Sequence, residues 1–449
     1  MRIHLISIGG SVMHNLALAL AKNHQISGSD DEIYEPALSR LKNLNLLPEN
    51  IGWDADRITP GLDAVVLGMH ARKDNPELLK AQELNLPIFS FPEWIYKESV
   101  QKKRVVIAGS HGKTTTTSMI LFVLKNLGRD MDYLVGAKIE GFDEMVRLSE
   151  APLLIVEGDE YPASVITMEP KFIYFKPHIA VITGIAWDHM NVFNTFESYK
   201  QQFSKLIAAV EPGGYLIYYQ EDPYIVDLLV RDDINYLPYS QMPVKKNDQY
   251  WEILDTGEIA HQIQVFGEHN LQNIQAAWEV CKLLGVREDD FFREISMFTG
   301  AAKRLQLLKE KGHSKMYLDF AHAPSKAKAT VAAIRSRFPQ HRLIACLELH
   351  TFSSLNINFL PQYAGCFELA DQAIVFFQEH TLTMKKLPAL SDEQVKNCFG
   401  ENDLIISHDP KNLTDLLARL TGPNTIYLMM TSGTFGGLDL ASLADRVIR

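Results

Sequence analysis

The residues with the clearest chemical potential lie in one stretch, VVIAGSHGKTTTTSMIL at 105–121. An apolar run enters Gly109-Ser110-His111-Gly112-Lys113-Thr114-Thr115, and a helix then begins. Glycines in such a turn let backbone N–H groups point at phosphate oxygens, and the following helix adds its positive end. Lys113 has the reach to meet β- and γ-phosphates, and the Thr114 hydroxyl suits Mg2+. The common spacing G-x-x-x-x-G-K-[ST] would put a glycine at Ile107, so the loop here is shortened to G-x-x-G-K-T-T. Four consecutive threonines are poor helix formers, so a helix starting on them needs another reason to keep them. The plainer alternative is a glycine turn with a solvated lysine.

Two strand-like runs downstream end in residues that bind cations. LLIVEGDE closes at Glu157, with Asp159 and Glu160 close behind, and AVITGIAWDH closes at Asp188-His189. A carboxylate at a strand end beside a phosphate loop is a natural Mg2+ ligand. His189 suits a second cation or a substrate contact, although Mg2+ prefers oxygen. Ordinary loop acids and a partly buried histidine are the alternative. Their shared placement, after strands of the loop's own segment, favours a metal site.

Three α/β segments must position these groups. IHLISIGG feeds the helical SVMHNLALALAKN, and HQISGSD and DAVVLGM follow as strands, which reads as a parallel βαβ unit. The charged ESVQKK marks a linker near residue 100. The second segment carries the loop and its acids at strand ends, where open α/β sheets place ligands. A third begins after GAAKRLQLL, with KMYLDFAHAPSK, RLIACLEL, DQAIVFF and NTIYLMMTSG.

The 449 residues allow two or three domains, and 46% hydrophobic with 22% charged residues is an ordinary globular composition. A net charge of −11 argues against a nucleic-acid partner. Cys281, Cys346, Cys366 and Cys398 form no CxxC pattern and fit a reducing compartment. The N-terminal apolar run is broken by His4, Ser7 and Gly9-Gly10, so no signal peptide is expected, and no run is apolar enough to span a membrane. The expected location is the cytoplasm.

The ordered set G-S-H-G-K-T-T, E-G-D-E, D-H, FGEHNLQNIQAA, AAKRLQ and DFAHAPSK resembles the Mur ligases, the ATP-dependent amide-forming enzymes of peptidoglycan assembly, over nearly the whole chain. The shortened phosphate loop is itself a mark of that family. The resemblance implies an α/β fold in three domains: a Rossmann-like UDP-sugar-binding domain at 1–99, a P-loop ATPase-like central domain at 100–303, and a Rossmann-like acceptor domain at 304–449. It implies ATP and Mg2+ as cofactors. Lys113 would bind the ATP phosphates, Thr114 and Glu157 a metal, and His189 a second one. Asn270 and Asn273 would face adenine, Arg304 the γ-phosphate and Asp319 the ribose, with His322 near the reacting centre. Gly9, Gly10 and Ser11 would contact the UDP diphosphate and Asp30 the nucleotide. A carbamylated lysine used by several members has no assigned counterpart, with Lys205 near the place.

The glycine-rich start resembles the branch that acts on UDP-N-acetylmuramate itself. EGDEYPASVITMEPKFIYFKP resembles the members that add the tripeptide L-Ala-γ-D-Glu-meso-diaminopimelate in murein recycling, with Pro162 where an aspartate is expected. ELHTFSSLN resembles the P-H-T-[FY]-S-R loop of the L-alanine ligases, with Ser354 in place of the arginine. The tripeptide is the expected acceptor and L-alanine the alternative, in a monomer or weak homo-oligomer. Folylpolyglutamate synthase would share the second and third domains but lacks a counterpart of residues 1–99. A phosphate-loop switch that senses a muramyl nucleotide would hydrolyse ATP without an acceptor.

Overall fold

The structure, a computed structural model, describes residues 1–449 except 70, 138, 140, 188–191, 247–249, 402 and 449. Its framework is three α/β sheets in chain order, whose central strands read as near-continuous apolar runs because both faces are covered.

The first sheet has four parallel strands, in spatial order Gln25–Ser29, Arg2–Ile6, Ala64–Leu67 and Ile88–Ser90. The helix Phe91–Ser99 closes it, begun by a Ser90/Glu93 capping box. Residues 100–102 then lead into the central strand Lys103–Ala108. Arg104, only 2% exposed, donates to Ser99 O at 2.9 Å and to Phe175 O at 2.8 Å, fastening that helix end to the second sheet. Phe91, Trp94 and Ile95 share one apolar core with Phe172, Phe175 and Tyr199, so the two units pack through a continuous core.

The second sheet has seven strands, ordered Asn235–Tyr239, Tyr215–Tyr219, Ile179–Ile182, Lys103–Ala108, Leu153–Glu157, Asp132–Leu134 and Val146–Arg147. All are parallel except the last, an antiparallel edge. A separate antiparallel sheet, Val244–Lys246, Trp251–Leu254 and Ala260–Ile263, follows it. The sequence reading did not separate this sheet. Its strands are short and only one face is apolar, with Trp251, Ile253 and Ile263 buried among exposed charges.

The third sheet runs Gln306–Lys311, Ser314–Asp319, Thr425–Met430, Arg342–Glu348, Gln372–Phe376 and Ile405–Ser407, parallel apart from its first strand. Apolar clusters cover both of its faces. Among the described residues no helix is long and apolar enough to cross a membrane. The four cysteines are free, and three of them are buried.

Candidate active site

Sheet order brings the chemistry together. The strand Lys103–Ala108 lies between Leu153–Glu157 and Ile179–Ile182, all parallel. The loop 109–112, Glu157 and Thr183 therefore emerge at neighbouring carboxyl ends, where an open α/β sheet holds its ligands. Gly109 and Gly112 have φ of 129° and 78°, in the region that favours glycine. A Cβ on Gly109 would collide with Thr183 Oγ1, and one on Gly112 with Asn273 Oδ1. The loop is thus pressed against its supports with its backbone turned to the cavity.

The helix Lys113–Asn126 starts directly on the loop, with Gly112 as its N-cap. Its threonines are buried, and Thr114 and Thr116 make tertiary bonds that offset their weak helix propensity, whereas the buried Thr117 hydroxyl has no hydrogen-bond partner among the described residues. Thr114 Oγ1 donates to Glu157 Oε1 at 2.6 Å, Thr116 Oγ1 to Asn273 Oδ1 at 3.2 Å, and Ser118 Oγ to Thr114 O at 2.7 Å. Glu157 accepts a second bond from Gly136 N at 2.8 Å. Burial first, then the neighbouring Asp159 charge, holds the Glu157 carboxyl above its ordinary range, against the pull of Thr114, Gly136 and Lys113.

Lys113 Nζ donates to Gly109 O at 2.8 Å and to Glu160 Oε2 at 3.1 Å. Burial would lower its pKa, but the charges of Glu160, Asp159 and Glu157 outweigh that and keep it above the usual lysine value. Glu160 is itself 1% exposed and is reached by Tyr199 OH at 3.2 Å, while that phenol also pairs with Ser110 Oγ at 2.8 Å. Glu160 and Tyr199 are thus part of the loop's support, a role the sequence reading did not give them.

The third unit reaches into the same place. Arg304 lies between Lys303 and Leu305, whose φ values are 55° and 47°. This costly pair of left-handed residues turns the side chain toward the loop. Arg304 Nη2 stands 3.4 Å from Thr114 Oγ1, and its guanidinium lies 4.7 Å from the Phe320 ring centre. Asp319 anchors this turn. It accepts from Leu305 N at 2.6 Å, Ala321 N at 2.8 Å and Thr330 Oγ1 at 3.3 Å. His322 Nδ1 donates to Phe320 O at 2.8 Å, and His111 Nε2 meets Ser325 Oγ at 2.8 Å across the two units.

These groups line a cavity of about 680 Å³. Ser110, His111, Gly112, Lys113, Thr114 and Thr115 form its floor. Glu157, Asn270 and Asn273 stand beside them, and Arg304, Asp319 and His322 face them from the third unit. Gly109 lies beneath the loop rather than on the lining. Asn270 Nδ2 donates to Phe266 O at 2.8 Å, and Asn273 braces Gly112. His189 lies outside the described residues. The oxygens of Thr114 and Glu157 suit a hard cation that takes its remaining ligands from phosphate and water. Among the described residues no cluster of three His, Cys, Asp or Glu could hold a metal alone. Lys205 pairs with Glu169 at 2.8 Å and is not on the lining.

Gly9, Gly10, Ser11 and Asp30 gather elsewhere: the first three run from the end of the strand Arg2–Ile6 into the helix Ser11–Leu20, and Asp30 follows the neighbouring strand Gln25–Ser29. Gly9 N donates to Asp30 Oδ2 at 2.7 Å, and a Cβ on Gly9 would stand 2.9 Å from that oxygen. Burial, then Asp31, pushes the Asp30 carboxyl up to about 6. In the third unit Ser354 is fully buried, and its hydroxyl accepts from Thr351 N at 2.9 Å, so this position of the 348–356 loop presents no cation. Pro162 pairs with Pro170 in an isolated bridge, and the intervening Val165 packs against the first sheet.

Three family models match in chain order: the Mur ligase family catalytic domain at 2–102, the Mur ligase middle domain at 107–281 and the Mur ligase glutamate ligase domain at 303–433. The UDP-N-acetylmuramate–L-alanine ligase of Caldicellulosiruptor bescii is 32% identical over 82% of both chains. The UDP-N-acetylmuramate–L-alanyl-gamma-D-glutamyl-meso-2,6-diaminoheptandioate ligase of Escherichia coli (strain K12) is 28% identical over 98% of this chain and 96% of its own. The structure of UDP-N-acetylmuramate-alanine ligase MurC from Thermotoga maritima superposes with a TM-score of 0.71 at 20% identity, over 100% of this chain and 98% of that one. With three matched domains in order and a relative at this identity across most of its length, the chain belongs to the Mur ligase family of ATP-dependent amide-forming ligases.

Proposed function

We propose that this enzyme joins the lactyl carboxylate of UDP-N-acetylmuramate to the amine of L-Ala-γ-D-Glu-meso-diaminopimelate, spending ATP, in murein recycling in the cytoplasm. The observation that carries the ligase reading is the convergence of Lys113, Thr114 and Glu157 from the central unit with Arg304 from the third around one cavity. Residues 1–99 are assigned the UDP-sugar, with Gly9, Gly10, Ser11 and Asp30 around its nucleotide, residues 100–303 the ATP, and residues 304–449 the acceptor.

In this reading Lys113 and Arg304 offset the charge that builds on the γ-phosphoryl group as the muramyl carboxylate attacks it. Mg2+ held by Thr114 and Glu157 would supply further positive charge to the phosphates. The resulting acyl phosphate is open to the acceptor amine, which forms the amide and expels phosphate. Lys113 first exchanges its bond to Glu160 for the incoming phosphates, and Glu160 remains held by Tyr199.

The tripeptide is supported by the likeness to the Escherichia coli enzyme along 98% of the chain and by the uncharged, buried Ser354. A small amino acid acceptor needs a cation for its carboxylate close to its amine. L-Alanine is the second reading, supported by the likeness to the Caldicellulosiruptor bescii enzyme. An acceptor panel with UDP-N-acetylmuramate and ATP tests this. The expected result is much higher kcat/KM with the tripeptide, and equal or better turnover with L-alanine overturns the acceptor assignment.

A further inference from the structure

The first and second units meet beside the glycine turn through one hydrogen-bonded chain. His14 and Asn15, on the helix Ser11–Leu20, are almost fully buried. Asn15 Nδ2 donates to Ser11 O at 2.8 Å. Its Oδ1 therefore points the other way, where it accepts from Arg40 Nη1 at 2.8 Å and from Met145 N at 3.3 Å. Arg40 lies on the helix Ala37–Asn43 of the first unit, and its Nη2 also reaches Asp143 O at 3.5 Å. Residues 143–145 belong to the second unit. Met145 O accepts from Val135 N at 2.9 Å, and the next residue, Gly136, donates to Glu157. The chain thus runs from the turn assigned to the sugar nucleotide to the carboxylate beside the phosphate loop. Two flanking contacts cross the same boundary, Lys22 to Glu144 at 3.3 Å and Ser11 Oγ to Met145 Sδ at 4.0 Å.

Proton counting leaves one arrangement for this chain. A carbonyl only accepts, so His14 Nδ1, 2.9 Å from Gly10 O, carries the ring proton. His14 Nε2 is then the acceptor, and it faces Asn15 Nδ2 at 3.0 Å and Arg40 Nη1 at 3.4 Å. Burial lowers the His14 pKa, the bond to Gly10 opposes this, and the Arg40 charge lowers it further, so the ring is neutral at pH 7. Both protons and both lone pairs of the Asn15 amide are matched, but only while Met145 of the second unit stays in place.

We propose that Asn15 and Arg40 are positioning residues for the ligation: they brace the glycine turn on the central unit and so set the reach of the sugar nucleotide's carboxylate toward the phosphate it attacks. This rests on the assignment of the UDP-sugar to the first unit and of ATP to the second. The shared core around Trp94 and Phe172 joins the two units at the helix Phe91–Ser99, whereas this brace joins them at the turn itself. A slip of one unit against the other takes Met145 N from Asn15 and leaves a buried amide oxygen short of a donor, which disfavours the slip. Each ligand keeps its own contacts in either register, but the reacting atoms do not keep theirs. A displacement of about 1 Å between reacting groups costs on the order of 10²-fold in rate.

The test compares full-length wild type with Arg40→Met, Asn15→Leu, His14→Leu and His14→Gln, turning over ATP, UDP-N-acetylmuramate and acceptor. Arg40→Met and Asn15→Leu should lower kcat roughly 10- to 100-fold. The calorimetric Kd for UDP-N-acetylmuramate and the KM for ATP should change little. The double variant should lose no more than the worse single one, because the two side chains act together. His14→Leu should share the loss, and His14→Gln, which supplies one donor and one acceptor, should recover most of it. An unchanged kcat in Arg40→Met overturns the inference. Loss of UDP-sugar binding in Arg40→Met alone also overturns it, because Arg40 would then be a direct ligand. So does a fall in kcat matched by weaker binding of both nucleotides, the mark of general loosening. These three results leave the ligase reading intact, whereas a wild type that binds no UDP-sugar overturns both. Thermal unfolding is followed for every variant, and should the buried substitutions not fold, Arg40→Met at its half-buried position carries the test.

Discussion

The Arg304 guanidinium, at the entrance to the third sheet, stands 3.4 Å from Thr114 Oγ1 at the head of the loop helix. These two residues are 190 positions apart in the chain, and only packing of the third unit on the second brings them together. If the guanidinium steadies charge on the transferred phosphoryl group, Arg304→Ala should lower kcat by about 10²- to 10³-fold. The KM for UDP-N-acetylmuramate should move little, because that substrate is assigned to the first unit. Steady-state kinetics of phosphate release check this, and an unchanged kcat would remove Arg304 from the reacting centre.

Lys113 and Glu160 make two separable contributions. Lys113→Ala should abolish ligation while calorimetric binding of the UDP-sugar persists. It should also destabilise the protein by roughly 3–5 kcal/mol, because Glu160 is left as a buried charge without its cation. Combining Lys113→Ala with Glu160→Gln removes that charge and should restore most of the stability with none of the activity. Denaturant unfolding and ADP release, measured on the same three proteins, distinguish the two effects.

The first unit carries its own buried carboxylate. Glu77 is fully buried and accepts from Asp54 N at 3.0 Å, His4 Nε2 at 3.3 Å, Arg57 Nη1 at 3.5 Å and the Ser29 hydroxyl. Burial alone would raise its pKa, but the bonds from His4, Ser29 and Asp54 outweigh it and hold the carboxyl below the ordinary value. A carboxylate whose pKa is depressed by folding contributes stability above its unfolded pKa of about 4.3 and loses it as pH falls through the folded value. Stability should therefore drop as pH falls below about 4.3. Glu77→Ala should cost roughly 3–5 kcal/mol at pH 7 and flatten the acid limb of the curve. Denaturation midpoints measured between pH 3 and 7 provide the check.

The phosphate loop was legible because its glycines, lysine and threonines are contiguous, and strand-loop-helix is a local arrangement. Glu157 was legible because it ends an apolar run that sheet order sets beside the loop. Tyr199 was not: it lies 89 residues from Ser110, on a helix whose apolar face reads as ordinary core. Asp319 was expected at a ribose. Its carboxylate also accepts three bonds from the protein, from residues 2 to 14 positions away, and so holds the Arg304 turn, which only the folded backbone reveals. The three-stranded sheet at 244–263 escaped notice because its strands are short, polar on one face and paired only with one another.

The central claim is that ATP activates the muramyl carboxylate before nitrogen attacks it. Isotope transfer tests it most directly. UDP-N-acetylmuramate labelled with oxygen-18 in its lactyl carboxylate, turned over with ATP and the tripeptide, should yield inorganic phosphate carrying one labelled oxygen per amide formed. Phosphate that never carries the label, released while amide accumulates, would contradict it.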